Sequence, residues 1–251
     1  MISLDSIRTP IASDIEAFEE FLKSRFQSES KLMSQMLEYV LSTHGKNIRP
    51  MIVMLSSALC SSANSREWVA GERNCTKRTY LAAMIIEMMH TASLIHDDVI
   101  DNSDCRRGRP SVNALWQSRN AVILGDYLLA RTMANGMESA QYDIVSHIIG
   151  SMATLCEGEI LQSQHQADKD TSRNDYLEII YKKTASLISI SASAGAVSVK
   201  APRQDVEQMR RFGEALGMAF QIQDDILDYS RSAQTGKPTN NDLREGKNTL
   251  P

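Results

Sequence analysis

Residues 77–101 read KRTYLAAMIIEMMHTASLIHDDVID. Apolar residues recur in it at three- and four-residue spacing, the signature of a helix. The stretch ends on the pattern Asp97-Asp98-Val99-Ile100-Asp101, which returns as Asp224-Asp225-Ile226-Leu227-Asp228 at the end of a second apolar run. On a helix, positions i and i+4 share a face. Asp97 therefore projects beside Asp101, and Asp224 beside Asp228. Like charges at that spacing destabilise a bare helix by roughly 0.2–0.5 kcal/mol. Carboxylates are also disfavoured at a helix C-terminus, where the macrodipole is negative. A divalent cation between the oxygens removes both costs. Oxygen-only ligands point to a hard ion, Mg²⁺ or Ca²⁺. The Gly and terminal Glu of an EF-hand loop are missing. One such motif could be a solvated helix end; two, each closing an apolar helix, are hard to ascribe to accident.

The rest of the chain supports an all-α fold. Its 251 residues hold only 12 Gly, 6 Pro and few aromatics, with Met, Leu, Ile and Ala dominating the apolar set. Unbranched side chains and Ala lose little rotamer freedom in a helix. We expect helices over 12–42, 49–62, 77–101, 120–138, 142–167, 173–199 and 204–229, with loops at 61–76, 103–110 and 234–241. Pro50 suits a first helical turn. Helices apolar on more than one face, such as 121–129 and 187–199, belong inside a bundle or at a subunit interface.

Other classes recede. The net charge of −4 gives no basic stripe for nucleic acid. Cys60, Cys75, Cys105 and Cys156 lack CxxC spacing and read as free thiols in a reducing compartment. No cationic leader precedes an apolar stretch at the N-terminus. No uninterrupted apolar run approaches the ~18 residues of a transmembrane segment. A cytoplasmic protein is the expectation.

Four cationic sites accompany the acids: Lys46 with Arg49 in GKNIRP, Arg106 with Arg107, Lys182 with Lys183, and Lys237 in GKP. Arg offers a fork of donors to phosphate and Lys a point charge. Any one pair alone would more often be a solvated surface feature.

The order GKNIRP, HTASLIHDDVID, RRG, GEILQ, KKTASL, FQIQDDILD, GKP resembles the trans-isoprenyl diphosphate synthases, most of all the long-chain synthases of quinone side chains. The resemblance runs from about Lys46 to Pro251. It implies a helical bundle of the isoprenoid synthase type with a central apolar tunnel. It also implies Mg²⁺-dependent condensation of isopentenyl diphosphate with an allylic diphosphate, giving a medium or long trans-polyprenyl diphosphate. By this resemblance Asp97, Asp98, Asp101, Asp224, Asp225 and Asp228 hold the metal. Arg106, Lys183, Thr184, Gln221 and Lys237 contact the allylic diphosphate, with Lys183 also counted among the catalytic residues. Lys46, Arg49, His90 and Arg107 form the isopentenyl diphosphate site. His90 alone on a Met-rich face would more often be a core histidine, and His96 is read as structural. Small residues one turn before Asp97, Ala92 and Ser93, leave room for a growing chain, with Met89 a turn deeper as a soft stop. The apolar helix 121–137 and the family's habit of pairing imply a homodimer.

The family pattern also implies further helices beyond Pro251, so that 1–251 would be a single polyprenyl synthase domain without them. Two rival readings are a class I terpene cyclase and a non-catalytic partner subunit. The first usually carries an Asn/Ser/Glu-type second motif and lacks the GKNIRP pattern; the second typically loses acids that are kept here.

Overall fold

The computed structural model describes residues 3–42, 45–62, 69, 72–167 and 172–228. It comprises two compact units, Met1–Ile148 with Ala194–Ala201, and Ile149–Ser193 with Pro202–Pro251. The fold is all-α. Among the described residues the strands are two residues each, Cys105–Arg106 and Arg109–Pro110, paired antiparallel.

The first unit is built around α5, Lys77–Ile100, after α1 (Leu4–Arg8), α2 (Ala12–Arg25), α3 (Lys31–Ser42) and α4 (Ile48–Ser62). The sequence hides α5 from water on nearly every side. Met84, Ile85, Ile86, Met89 and Ala92 are at most 1% exposed, packed between α4 and α6, Val112–Glu138. Each of these Met and Ile side chains contributes roughly 1.5–3 kcal/mol. The start of α5 is fixed by Asp14, itself fully buried. Its carboxylate accepts the N–H of Cys75 at 2.9 Å, the N–H of Asn74 at 3.2 Å and the Tyr80 hydroxyl at 2.7 Å. Thr76 then caps the helix through the N–H of Thr79. The first aspartate motif lies at the other end of α5, ~35 Å away at 1.5 Å per residue.

In this unit three expected elements differ. The helix expected over 12–42 is two helices. Phe26 leaves helical geometry at φ −118 and turns a 4% exposed side chain into the core. Ser28 and Ser30 then bond the nearby N–H groups of Ser30 and Met33, competing with the helical ladder. The loop at 103–110 is a hairpin. Its two-residue turn, Arg107-Gly108, has φ 54 and φ 75, the primed geometry that fits strand twist and that Gly adopts without strain. The helix expected from 120 begins at Val112, capped by Ser111. Gln117 at φ 71, ψ 152 separates that first turn from the regular helix.

The second unit holds most of α7, Tyr142–Ala167, then α8, Arg173–Ile180, a π-helical turn at Tyr181–Ala185, α9, Ser186–Ser198, and α10, Arg203–Asp228. A Ser172–Asp175 capping box starts α8. The π-turn interrupts what the sequence reads as one helix over 173–199. Two glycines let α10 lie against this segment. A Cβ at Gly217 would come to 2.5 Å from the Ala185 Cα, and one at Gly213 to 2.7 Å from the Ile188 carbonyl. The four cysteines are free thiols. One expectation needs qualifying: Tyr142–His165, with mean hydropathy 1.3, is long and apolar enough to cross a membrane. Its Ser, Thr and Gly residues break an apolar run without lowering the average far.

Candidate active site

At the end of α5 the three aspartates divide. Asp98 is 3% exposed and fully engaged by the hairpin. Arg106 Nε lies 2.8 Å from both carboxylate oxygens, and its Nη2 2.7 Å from Oδ1. This forked, charge-assisted pairing offsets the unfavourable dipole end. Asp101 is the exposed C-cap, its N–H donating to the Asp97 carbonyl at 2.8 Å; Asp97 is partly exposed.

A pocket opens beside this pair, lined by Gly45, Asn47, Glu87, His90, Arg106 and Arg107 among others. Its cavity volume is about 90 Å³, room for several waters or a phosphate group and too little for a prenyl chain. Gly45 has a steric reason: a Cβ there would overlap the Arg107 guanidinium. The glycine of GKNIRP and the second arginine of RRG are thus one packing unit. Asn47 sits at φ 48 and its carbonyl accepts the N–H of Met51 at 3.0 Å, starting α4. Arg49 has a buried Nε without a hydrogen-bond partner. Burial lowers its pKa, and Arg107 adds to this, while Glu87 opposes it. Burial, then Arg49, Arg107 and Arg106, hold His90 well below the usual imidazole range, so it is neutral at pH 7. Burial raises Glu87 above the usual carboxylate range, opposed by Arg49 and Arg107.

The structure therefore brings together His90, Arg106, Arg107 and Asp98. Lys46 is exposed, and neither it nor the half-buried Arg49 lines the pocket. Met89, Ala92 and Ser93 are 1%, 0% and 7% exposed and do not line it either. Glu87 is absent from the residues expected from sequence. Its signal was available, as the one charged residue between Thr79 and Ile95.

In the second unit, Asp225 repeats the behaviour of Asp98. It is 4% exposed, its Oδ2 accepts the Tyr176 hydroxyl at 2.6 Å, and its Oδ1 accepts Gln221 Nε2 at 2.7 Å. Gln221 Oε1 in turn accepts the Thr184 hydroxyl at 2.7 Å. Asp224 is exposed and Asp228 partly so. Lys183 Nζ donates to Glu159 at 2.8 Å and to Gln162 at 2.7 Å. These are the acid and amide of GEILQ. The glycine of that motif, Gly158, is where the π-turn comes closest: a Cβ would lie 2.8 Å from the Lys183 backbone N. Single π-turns inside helices are frequent at functional sites. Tyr176 had no signal in its own neighbourhood of sequence. Lys237 lies outside the described residues.

No group of three or more His, Cys, Asp or Glu side chains among the described residues could alone hold a metal ion. Each unit thus carries one aspartate motif, with a buried, bonded central aspartate between two more exposed ones on a helix end.

An all-α fold with two such motifs fits the family that the sequence resembles, and known proteins bear this out. The Polyprenyl synthetase family matches residues 30–251. An all-trans-nonaprenyl-diphosphate synthase (geranyl-diphosphate specific) of Rhodobacter capsulatus is 39% identical over 98% of this chain and 72% of its own. The crystal structure of a decaprenyl diphosphate synthase from Rhodobacter capsulatus superposes with TM-score 0.87 at 34% identity, over 99% of this chain and 74% of that one. A polyprenyl synthase from Caulobacter crescentus, complexed with calcium and isoprenyl diphosphate, gives TM-score 0.86 at 32% identity, over 99% and 73%. The chain belongs to the polyprenyl synthetase family and is a polyprenyl diphosphate synthase, a transferase.

Proposed function

We propose that this chain extends an allylic diphosphate with isopentenyl diphosphate, and that the outer aspartates Asp97, Asp101, Asp224 and Asp228 would hold the Mg²⁺ it uses. The observation that carries this is the division of labour in both motifs. Asp98 and Asp225 already have both oxygens engaged, whereas Asp97, Asp101, Asp224 and Asp228 are the more exposed members. Carboxylates in ones and twos fit Mg²⁺, which keeps waters and takes substrate phosphates as its other ligands. When bound, the ion neutralises charge that develops on the leaving diphosphate.

The protein's own groups do the rest. Lys183, Thr184, Gln221, Arg106 and Lys237 are assigned to the allylic diphosphate, and Lys46, Arg49, His90 and Arg107 to isopentenyl diphosphate. The allylic C–O bond breaks as its diphosphate leaves. The isopentenyl double bond forms a new C–C bond to the allylic carbon, and the proton lost goes to the departing diphosphate. Neutral His90 can donate one N–H to a phosphate oxygen without adding to the arginines' mutual repulsion. The growing chain would displace packing past Ala92, Ser93 and Met89, where burial keeps water from the cation.

A medium or long product fits the small side chains at Ala92 and Ser93. A homodimer fits the exposed apolar residues of α6, among them Leu115, Val122 and Ile123 at 45%, 40% and 47%, and the four free thiols fit a cytoplasmic protein. A C₂ interface would bury that face from both subunits. Isopentenyl diphosphate incorporation into allylic primers, with Mg²⁺ and with chelator, tests the reaction. A monomeric mass by light scattering at micromolar concentration would contradict the dimer.

A further inference from the structure

We propose that Glu87 is a proton-linked specificity residue: it balances Arg49 and Arg107 while the pocket is empty and takes up a proton when a diphosphate enters. This rests on the reading of that pocket as a diphosphate site.

Glu87 and His90 lie one turn apart on α5 and line the same cavity. Among the described residues the Glu87 carboxylate takes no hydrogen bond, although it stands in the field of two guanidiniums. Arg49, from α4, carries the complementary defect, a buried Nε with no partner. The buried Arg49 donor, left unbonded, costs stability and calls for an acceptor that the half-buried Glu87 does not supply. The other charged or titratable groups facing the cavity are Arg106 and Arg107 of the hairpin, Asp98 and His90 of α5, and Tyr39 of α3. Asp98 is closed off by Arg106, and His90 is neutral. Glu87 is therefore the negative charge that an entering polyanion meets.

A diphosphate satisfies the arginines better than one carboxylate does, and it repels that carboxylate. Burial already biases Glu87 toward its neutral form. An added anion pushes the same way. Once protonated, the side chain changes from a repelling acceptor to an O–H donor for a phosphate oxygen. Binding then consumes a proton from solvent, so affinity falls as pH rises.

The test is calorimetric titration of the metal-free protein with inorganic diphosphate, in chelator. Two buffers of different ionisation enthalpy are used, between pH 7 and 9. Wild type should take up about one more proton per site than Glu87→Gln. The affinity of Glu87→Gln should also fall less with pH. Glu87→Asp should keep the uptake, and so should His90→Asn, which shows that the histidine is not its source. Equal uptake by wild type and a folded Glu87→Gln would overturn the proposal; loss of uptake in His90→Asn alone would move it to the histidine and overturn it equally. Arg49→Ala should weaken binding by about tenfold or more, as loss of a charge-assisted hydrogen bond does. If neither Arg49→Ala nor Arg107→Ala changes diphosphate affinity, the pocket is not a diphosphate site, and that reading fails first.

Discussion

Tyr176 donates its hydroxyl to Asp225 Oδ2 at 2.6 Å, joining α8 to the second aspartate motif through two buried side chains. The bond aims Asp225, and with it the helix end that carries Asp224 and Asp228. Tyr176→Phe removes one donor from a buried carboxylate and should cost roughly 1.5–3 kcal/mol of stability. In the folded fraction it should raise the Mg²⁺ concentration needed for half-maximal turnover, with little change in KM for isopentenyl diphosphate. Denaturant unfolding and Mg²⁺ titration read the two effects separately. An unchanged Mg²⁺ dependence would leave Tyr176 a purely structural residue.

Gly125 and His96 give a prediction whose sign depends on background. His96 Nε2 lies 3.2 Å from the Val122 carbonyl and 3.5 Å from Asp126, and a Cβ at Gly125 would overlap its ring. Gly125→Ala should therefore destabilise the wild-type protein by roughly 1–3 kcal/mol, the usual cost of overpacking. In a His96→Ala background the overlap is gone, and alanine's helix propensity should make the same change stabilising by up to about 1 kcal/mol. Thermal unfolding of the four variants is sufficient. Destabilisation in both backgrounds would mean that the ring is not what the glycine accommodates.

Ala92 and Ser93, 0% and 7% exposed on α5, define the third prediction. Phe at either position should shorten the product while sparing the first condensation. It should also cost roughly 1–3 kcal/mol, because the site is packed. Chromatography of the products from protein shown to be folded checks this. An unchanged distribution in both variants would mean that the chain runs elsewhere.

Much of this was legible in the sequence. Periodicity located α5, α7 and α10 almost to the residue, because apolar residues recur in all three at helical spacing up to the polar or Pro-containing segments that end them. It missed the break at Phe26, whose apolar side chain keeps the helical rhythm while its backbone leaves it. It missed the π-turn at Tyr181–Ala185 because one extra residue in a turn leaves no compositional mark. In the candidate site, repetition and spacing singled out the aspartates and the cations. What they could not supply was the division among the aspartates, since Asp98 and Asp225 differ from their neighbours only in partners brought by the fold. Arg106 was visible eight residues away; Tyr176, 49 residues from Asp225, was not.

Arg106→Ala should be more damaging than the loss of one surface charge. It strands Asp98, a buried carboxylate, and breaking such a pair from one side costs roughly 3–5 kcal/mol. Asp98→Asn in the same background should recover part of that loss in a denaturant titration. No recovery would argue that Arg106 acts on something other than Asp98.

The central claim is that the outer aspartates act with Mg²⁺ on a diphosphate. The most direct measurement is incorporation of labelled isopentenyl diphosphate into an allylic primer as Mg²⁺ is titrated, for wild type, Asp97→Ala and Asp224→Ala. Incorporation by wild type should require Mg²⁺ and vanish with chelator. Each variant should lose orders of magnitude in kcat, because the contribution is made in the transition state. Incorporation that survives chelation, or near-wild-type turnover by either variant at saturating Mg²⁺, would contradict the account.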